Sequence, residues 1–119
     1  MDKEQLINFI DRYWRCKSLL TTKSKSDAYS KLKQIGKYGF AAELMRQEAS
    51  CWMFVSEANQ IAGKLPEREC EFLLSVFRIN TLKKANTSRI AKELGISPYA
   101  VSRLLKSTST EIKALHEGR

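Results

Sequence analysis

Histidine is nearly absent: the 119-residue chain holds one, His116. It lies close to the C-terminus, with no nucleophile motif near it. No G-x-S-x-G elbow, no Walker loop and no paired-carboxylate constellation occurs. Each of those patterns serves a chemical step, so neither an enzyme nor a bound cofactor is expected. Cysteine is scarce too. Cys16, Cys51 and Cys70 stand far apart along the chain, and no two have C-x-x-C spacing. They form no cluster, with or without His116, that could supply four zinc ligands. Their odd number argues against a secreted disulfide scaffold, and buried, reduced thiols in a cytosolic protein are the expectation. Long apolar runs are missing as well. Nothing approaches the length of a membrane span, so no membrane partner is expected. The opening Met1-Asp2-Lys3-Glu4 is polar, which gives no sign of a leader peptide.

What the chain has in excess is positive charge. Lys and Arg number 21 against 13 Asp and Glu, a net +8. Such a balance favours an anionic partner and is silent about fold. The charge is uneven. Between Arg15 and Lys37 there are seven basic residues (Arg15, Lys17, Lys23, Lys25, Lys31, Lys33, Lys37) against Asp27 alone. Between Lys83 and Lys106 there are six (Lys83, Lys84, Arg89, Lys92, Arg103, Lys106) against Glu93. Taken together, the remaining segments are net acidic. The length suits one domain, or two small helical pieces sharing a core.

Helical periodicity dominates. Over 3–20, Leu6, Ile7, Ile10, Tyr13 and Trp14 recur at helix spacing, with the start at Asp2 or Lys3. Thr21 to Ser26 reads as a polar linker, with Ser24 or Ser26 able to cap the next segment. A short basic helix is expected over 27–36, with Ala28, Leu32 and Ile35 on a thin apolar face; Gly36 and Gly39 mark its end. Its lysines would either hold phosphates or form a solvated face. Over 40–62 a longer helix is expected, with Ala41, Leu44, Met45, Cys51, Trp52, Val55, Ala58 and Ala62 on one side. Within it Cys51-Trp52-Met53-Phe54-Val55 is apolar all round, so this turn is either buried on all sides or meets another protein chain. Gly63-Lys64 ends that helix. Pro66 suits the first turn of the next, Glu67 and Glu69 suit its positive end, and Phe72, Leu73, Val76 and Phe77 make its buried face.

The most informative stretch is Thr87 to Lys106. Ala91 is small where two helices would cross closely. Gly95, four residues on, suits a turn that needs positive φ. Ile90, Leu94, Ile96, Val101 and Leu104 are apolar at positions that would form a small core between the helices. Asn86 or Thr87 suits the cap of the first helix; Ser97 suits that of the second, with Pro98 at its first position. Together these features predict a helix-turn-helix, the unit that lays a helix into the major groove of DNA. Beyond it, Thr108-x-x-Glu111 would serve as a capping box for a separate helix. Val101, Leu104, Leu105, Thr108, Ile112 and Leu115 nevertheless keep helical spacing, and one helix from Pro98 to about Leu115 is preferred. Gly118 would end it.

The segment resembles the helix-turn-helix of the fourth region of bacterial sigma factors, and that of small phage late-gene activators of the ArpU and RinA type. The resemblance begins at Leu65-Pro66-Glu67-Arg68-Glu69 and covers roughly 64–119. It implies contact with promoter DNA and with RNA polymerase, in the cytoplasm of a bacterial host cell. No second sigma region is recognisable, so a complete promoter-melting sigma factor is not expected.

The expected protein is therefore all-α, with a helical N-terminal region (1–63, for dimerisation or partner contact) packed on a C-terminal helix-turn-helix domain (64–119). The expected function is sequence-specific binding of double-stranded DNA in transcription regulation, as a phage-type activator, with a homodimer possible through Cys51–Val55. Ser97, Tyr99, Ala100, Ser102 and Arg103 are expected at the bases, with Arg103 suited to guanine O6 and N7 and Ala100 to a thymine methyl. Lys83, Lys84, Thr87, Arg89, Lys92 and Lys106 are expected at phosphates. Two alternatives stay open: an adaptor of phage packaging or recombination, and a protein-interaction module that keeps the fold without binding DNA.

Overall fold

A computed structural model describes residues 1–21, 36 and 38–118. The described residues are all-α: five helices, no strands. They are α1 (Lys3–Thr21), α2 (Tyr38–Gly63), α3 (Glu67–Phe77), α4 (Thr87–Leu94) and α5 (Pro98–His116). The helix expected over 27–36 lies, except for Gly36, outside the described residues, as do Lys23, Lys25, Lys31, Lys33 and Lys37.

The central helix is α1. Its start is a reciprocal cap: the Gln5 amide donates to Asp2 Oδ1 and the Asp2 amide to Gln5 Oε1, both at 2.8 Å. Leu6, Ile7, Ile10, Tyr13 and Trp14 are all buried, as their spacing predicts. They join one continuous core that also holds Ala58 and Ala62 of α2, Leu73 and Val76 of α3, Ile90 of α4, and Val101, Leu105 and Ile112 of α5. Tyr13 stacks on Phe77 with ring centroids 3.9 Å apart. Polar groups tie α1 to the end of α3 and to the chain beyond it. The Trp14 indole donates to the Val76 carbonyl at 2.9 Å. The Lys17 ammonium donates to the carbonyls of Phe77 (2.7 Å) and Ile79 (3.0 Å), satisfying acceptors where α3 ends. Asp11 Oδ1 accepts from the Ala85 amide at 3.0 Å and so holds the loop that leads into α4.

Several expectations about α2 are corrected. It begins at Tyr38, so Gly39 is inside it and ends nothing. Met45 and Trp52 do not face inward; they are 54% and 58% exposed. The apolar run divides. Phe54 and Val55 pack against the core, while Trp52 and Met53 point outward, so the turn is not buried on all sides. The reason is that, among the described residues, α2 packs chiefly on α1 and α3, and they cover one side. Phe54 reaches inward to Phe9, with ring centroids 5.0 Å apart, beneath the Arg12 guanidinium. Two cysteines distant in sequence also meet here. Cys16 and Cys51 line one surface hollow between α1 and α2. Burial first, then the contact with Cys51, pushes the Cys16 thiol up to about 11.

α5 is a single helix through Ser107–Thr110, which is poor helix sequence. The hydroxyls of Ser109 and Thr110 fold back onto the carbonyls of Leu105 (2.8 Å) and Lys106 (3.1 Å), so they do not compete for other backbone groups. Thr108 and Ile112 continue the buried face. Thr108 carries a cost: its hydroxyl is fully buried and has no hydrogen-bond partner among the described residues. Thr108→Val keeps the shape and removes the orphaned group, so it should stabilise the protein by about 1 kcal/mol. A rise in the urea midpoint at unchanged m-value is the expected readout.

Candidate nucleic-acid interface

The turn between α4 and α5 is built as its residue types require. Asn86 caps α4, its side-chain oxygen accepting from the Arg89 amide at 2.7 Å. At the other end Gly95 takes φ 69°, and the Ile96 amide bonds back to the Ala91 carbonyl at 3.1 Å. That six-to-one bond over a left-handed residue is a Schellman closure. Ala91 is buried beneath it, where a larger side chain would hold the helices apart. Ser97 then caps α5, accepting from the Ala100 amide at 3.1 Å, with Pro98 in the first turn. Ile90 and Val101 are fully buried and Leu94 and Leu104 partly so, but Ile96 is 38% exposed and does not belong to the core between the helices. The closure carries the chain outward immediately after Gly95, and Ile96 goes with it.

This geometry leaves an exposed stripe on α5. Tyr99 (73% exposed), Arg103, Lys106, Thr110 and Lys113 follow at alternating intervals of four and three, opposite the buried Val101, Leu105, Thr108 and Ile112. The Arg103 guanidinium lies over the Tyr99 ring, 5.8 Å from its centroid, which orders an otherwise loose side chain. Ala100 is half-buried beside them. Arg103 and Lys106 are joined along a shallow groove with Ser107 and Thr110.

The remaining expected residues divide by how occupied they already are. Ser97 is exposed, its oxygen engaged as a cap. Ser102 is half-buried and accepts from the Lys3 ammonium at 2.9 Å, so its hydroxyl oxygen is committed to α1. Arg89 keeps a fifth of its side chain exposed and sits 3.7 Å from Glu93 one turn on. Lys92, Lys83 and Lys84 are exposed, and Thr87 is half-buried. Lys84 and Thr87 line a second concavity with Ser88, Asn86 and, from α1, Glu4 and Asn8. Arg103 and Lys106 are thus brought together, whereas Lys84 and Thr87 form a separate cluster at the start of α4.

Two basic residues outside the expected set join the surface. Arg68 of α3 lines a groove with Ala100, Arg103, Leu104 and Ser107. Its guanidinium donates to Glu69 at 3.0 Å and to the Ser107 hydroxyl at 3.1 Å. Ser107 in turn donates to Glu69, and this bond is the main cause holding the Glu69 carboxyl below the usual carboxylate range, against burial. The tie between α3 and α5 is therefore present at neutral pH and weakens as acid protonates Glu69. The other addition is Lys3, through Ser102. No local spacing joins residue 3 to 102 or 68 to 107; only the fold does.

Among the described residues, no three of His, Cys, Asp and Glu come together to hold a metal ion, and no helix is long and apolar enough to cross a membrane. No family model, curated protein or solved structure matches the chain.

Proposed function

We propose that α4, the Gly95 turn and α5 act as a helix-turn-helix that binds double-stranded DNA and regulates transcription, with the first turns of α5 in the major groove. The observation that carries this reading is the exposed stripe of Tyr99, Arg103 and Lys106, on a helix that starts just past a tight left-handed turn. A guanidinium presented in the second turn of a helix reaches base edges when the N-terminal end of that helix enters the groove. Arg103 reads bases, with Tyr99 and Ala100 beside it. Ser97 and Ser102 contribute less, since their oxygens already accept bonds. Lys106, Lys92, Lys83, Lys84 and Arg68 hold phosphates, and Thr87 meets the backbone at the α4 N-terminus. A phage-type activator that also touches RNA polymerase is the role the sequence resemblance favours. An adaptor or a pure protein-interaction module would keep the same fold.

The test is a titration of duplex DNA at several salt concentrations. Phosphate contacts release counterions, so log K should fall linearly with log salt, with a slope of about −0.9 for each contact. Lys106→Gln should weaken binding equally for all sequences and make the slope shallower by about one contact. A protein that leaves duplex DNA unbound even at low salt would overturn the proposal.

A further inference from the structure

Among the described residues, the outward face of α2 has no partner. Met45, Ala49, Trp52 and Ser56 occur at intervals of four, three and four and are all exposed, with Met53 beside Trp52. This is the spacing of a helix–helix seam, about 16 Å long at the α-helical rise. Large and small side chains alternate along it. If a second α2 is laid across it antiparallel, one register sets Trp52 against Ala49 of the second copy and Met45 against its Ser56. Both pairings are large against small, and both satisfy the same two-fold axis.

The charges agree with that register. Arg46 and Glu57 lie on one flank of the seam, near its opposite ends, and both are exposed. Antiparallel pairing brings like flanks together, so Arg46 of each copy meets Glu57 of the other about half a helical turn from perfect alignment, within reach of the long side chains. Arg46 is held by Glu43 at 2.6 Å within its own chain, which directs the guanidinium along that flank. A parallel pairing in register would set Trp52 against Trp52 and bring unlike flanks together, leaving the Arg46 and Glu57 side chains of the two copies on opposite sides of the seam.

We infer that the Met45–Glu57 face of α2 is a self-association surface, closing an antiparallel two-fold dimer of this chain through Trp52, Met53 and reciprocal Arg46–Glu57 ion pairs. The inference is independent of DNA binding. A two-fold assembly is isologous, so the same patch serves both copies.

Sedimentation equilibrium of the full chain across a wide concentration range tests it. The wild type should shift from the 13.7-kDa monomer toward twice that mass. Trp52→Glu should stay monomeric throughout with an unchanged far-UV spectrum. Arg46→Glu should weaken the dimer roughly tenfold, and the double exchange Arg46→Glu with Glu57→Arg should restore it. A wild type that remains monomeric at the highest concentration would overturn the inference, as would a dimer indifferent to Trp52→Glu. A double exchange as weak as the single one would overturn the antiparallel register.

Discussion

Arg103→Glu is expected to abolish selective DNA binding, with a loss of about 100-fold or more for the preferred duplex. A bidentate guanidinium–guanine contact accounts for roughly 1–3 kcal/mol of discrimination. Reversing the charge adds repulsion from phosphates. The magnitude rests on position: Arg103 is exposed, ordered over Tyr99 and next to Arg68, so no core contact is lost with it. Arg103→Ala should show the smaller, purely attractive part of the effect. Both variants should unfold at the wild-type urea concentration, which separates a binding defect from a folding one. Competition titrations against the preferred and a scrambled duplex measure the difference.

Leu105→Ala is expected to have the largest effect on stability. Leu105 is fully buried on the inner face of α5, in the core it shares with α1, α3 and α4. Truncating such a leucine costs about 2–5 kcal/mol, set by how far the cavity can collapse. A domain of this size has only about 5–15 kcal/mol in total. Collapse is restricted here, because α5 is pinned at several points. The Ser109 hydroxyl bonds the Leu105 carbonyl at 2.8 Å and lies 3.3 Å from the Asp2 carbonyl, and Ser107 is held by Arg68 and Glu69. A cost toward the upper end of that range is the expected result in chemical denaturation. DNA binding should track the folded fraction, not fall beyond it.

The contrast between these two substitutions mirrors what was legible in the sequence. Gly95, Asn86 and Ser97 are readable because each acts on its own backbone within a few residues, and Ala91 because it stands at a fixed distance before that turn. A cap reaches three residues on, and a left-handed turn needs only its own φ. Leu6, Ile10, Val101 and Ile112 are readable because a long amphipathic stripe has one buried side. Ile96 misleads because apolarity near a turn does not say on which side of the closure the residue leaves. Trp52 misleads for a different reason: the Cys51–Val55 run is apolar all round, so its periodicity cannot choose a face, and the choice is made by α1 docking on Phe54. Met45 lies on the same outward face as Trp52. Arg68, Lys3 and the meeting of Cys16 with Cys51 are set by contacts between distant parts of the chain. No local rule encodes those.

Selection from a pool of random duplexes decides whether the exposed stripe of α5 reads DNA sequence. The wild type and Arg103→Ala would be taken through repeated rounds at moderate salt, and the recovered pools sequenced. The predicted result is one enriched motif for the wild type, with a guanine at the position that loses its preference in Arg103→Ala. Recovery of unenriched sequence by both proteins, or of the same motif at the same strength by both, would contradict it.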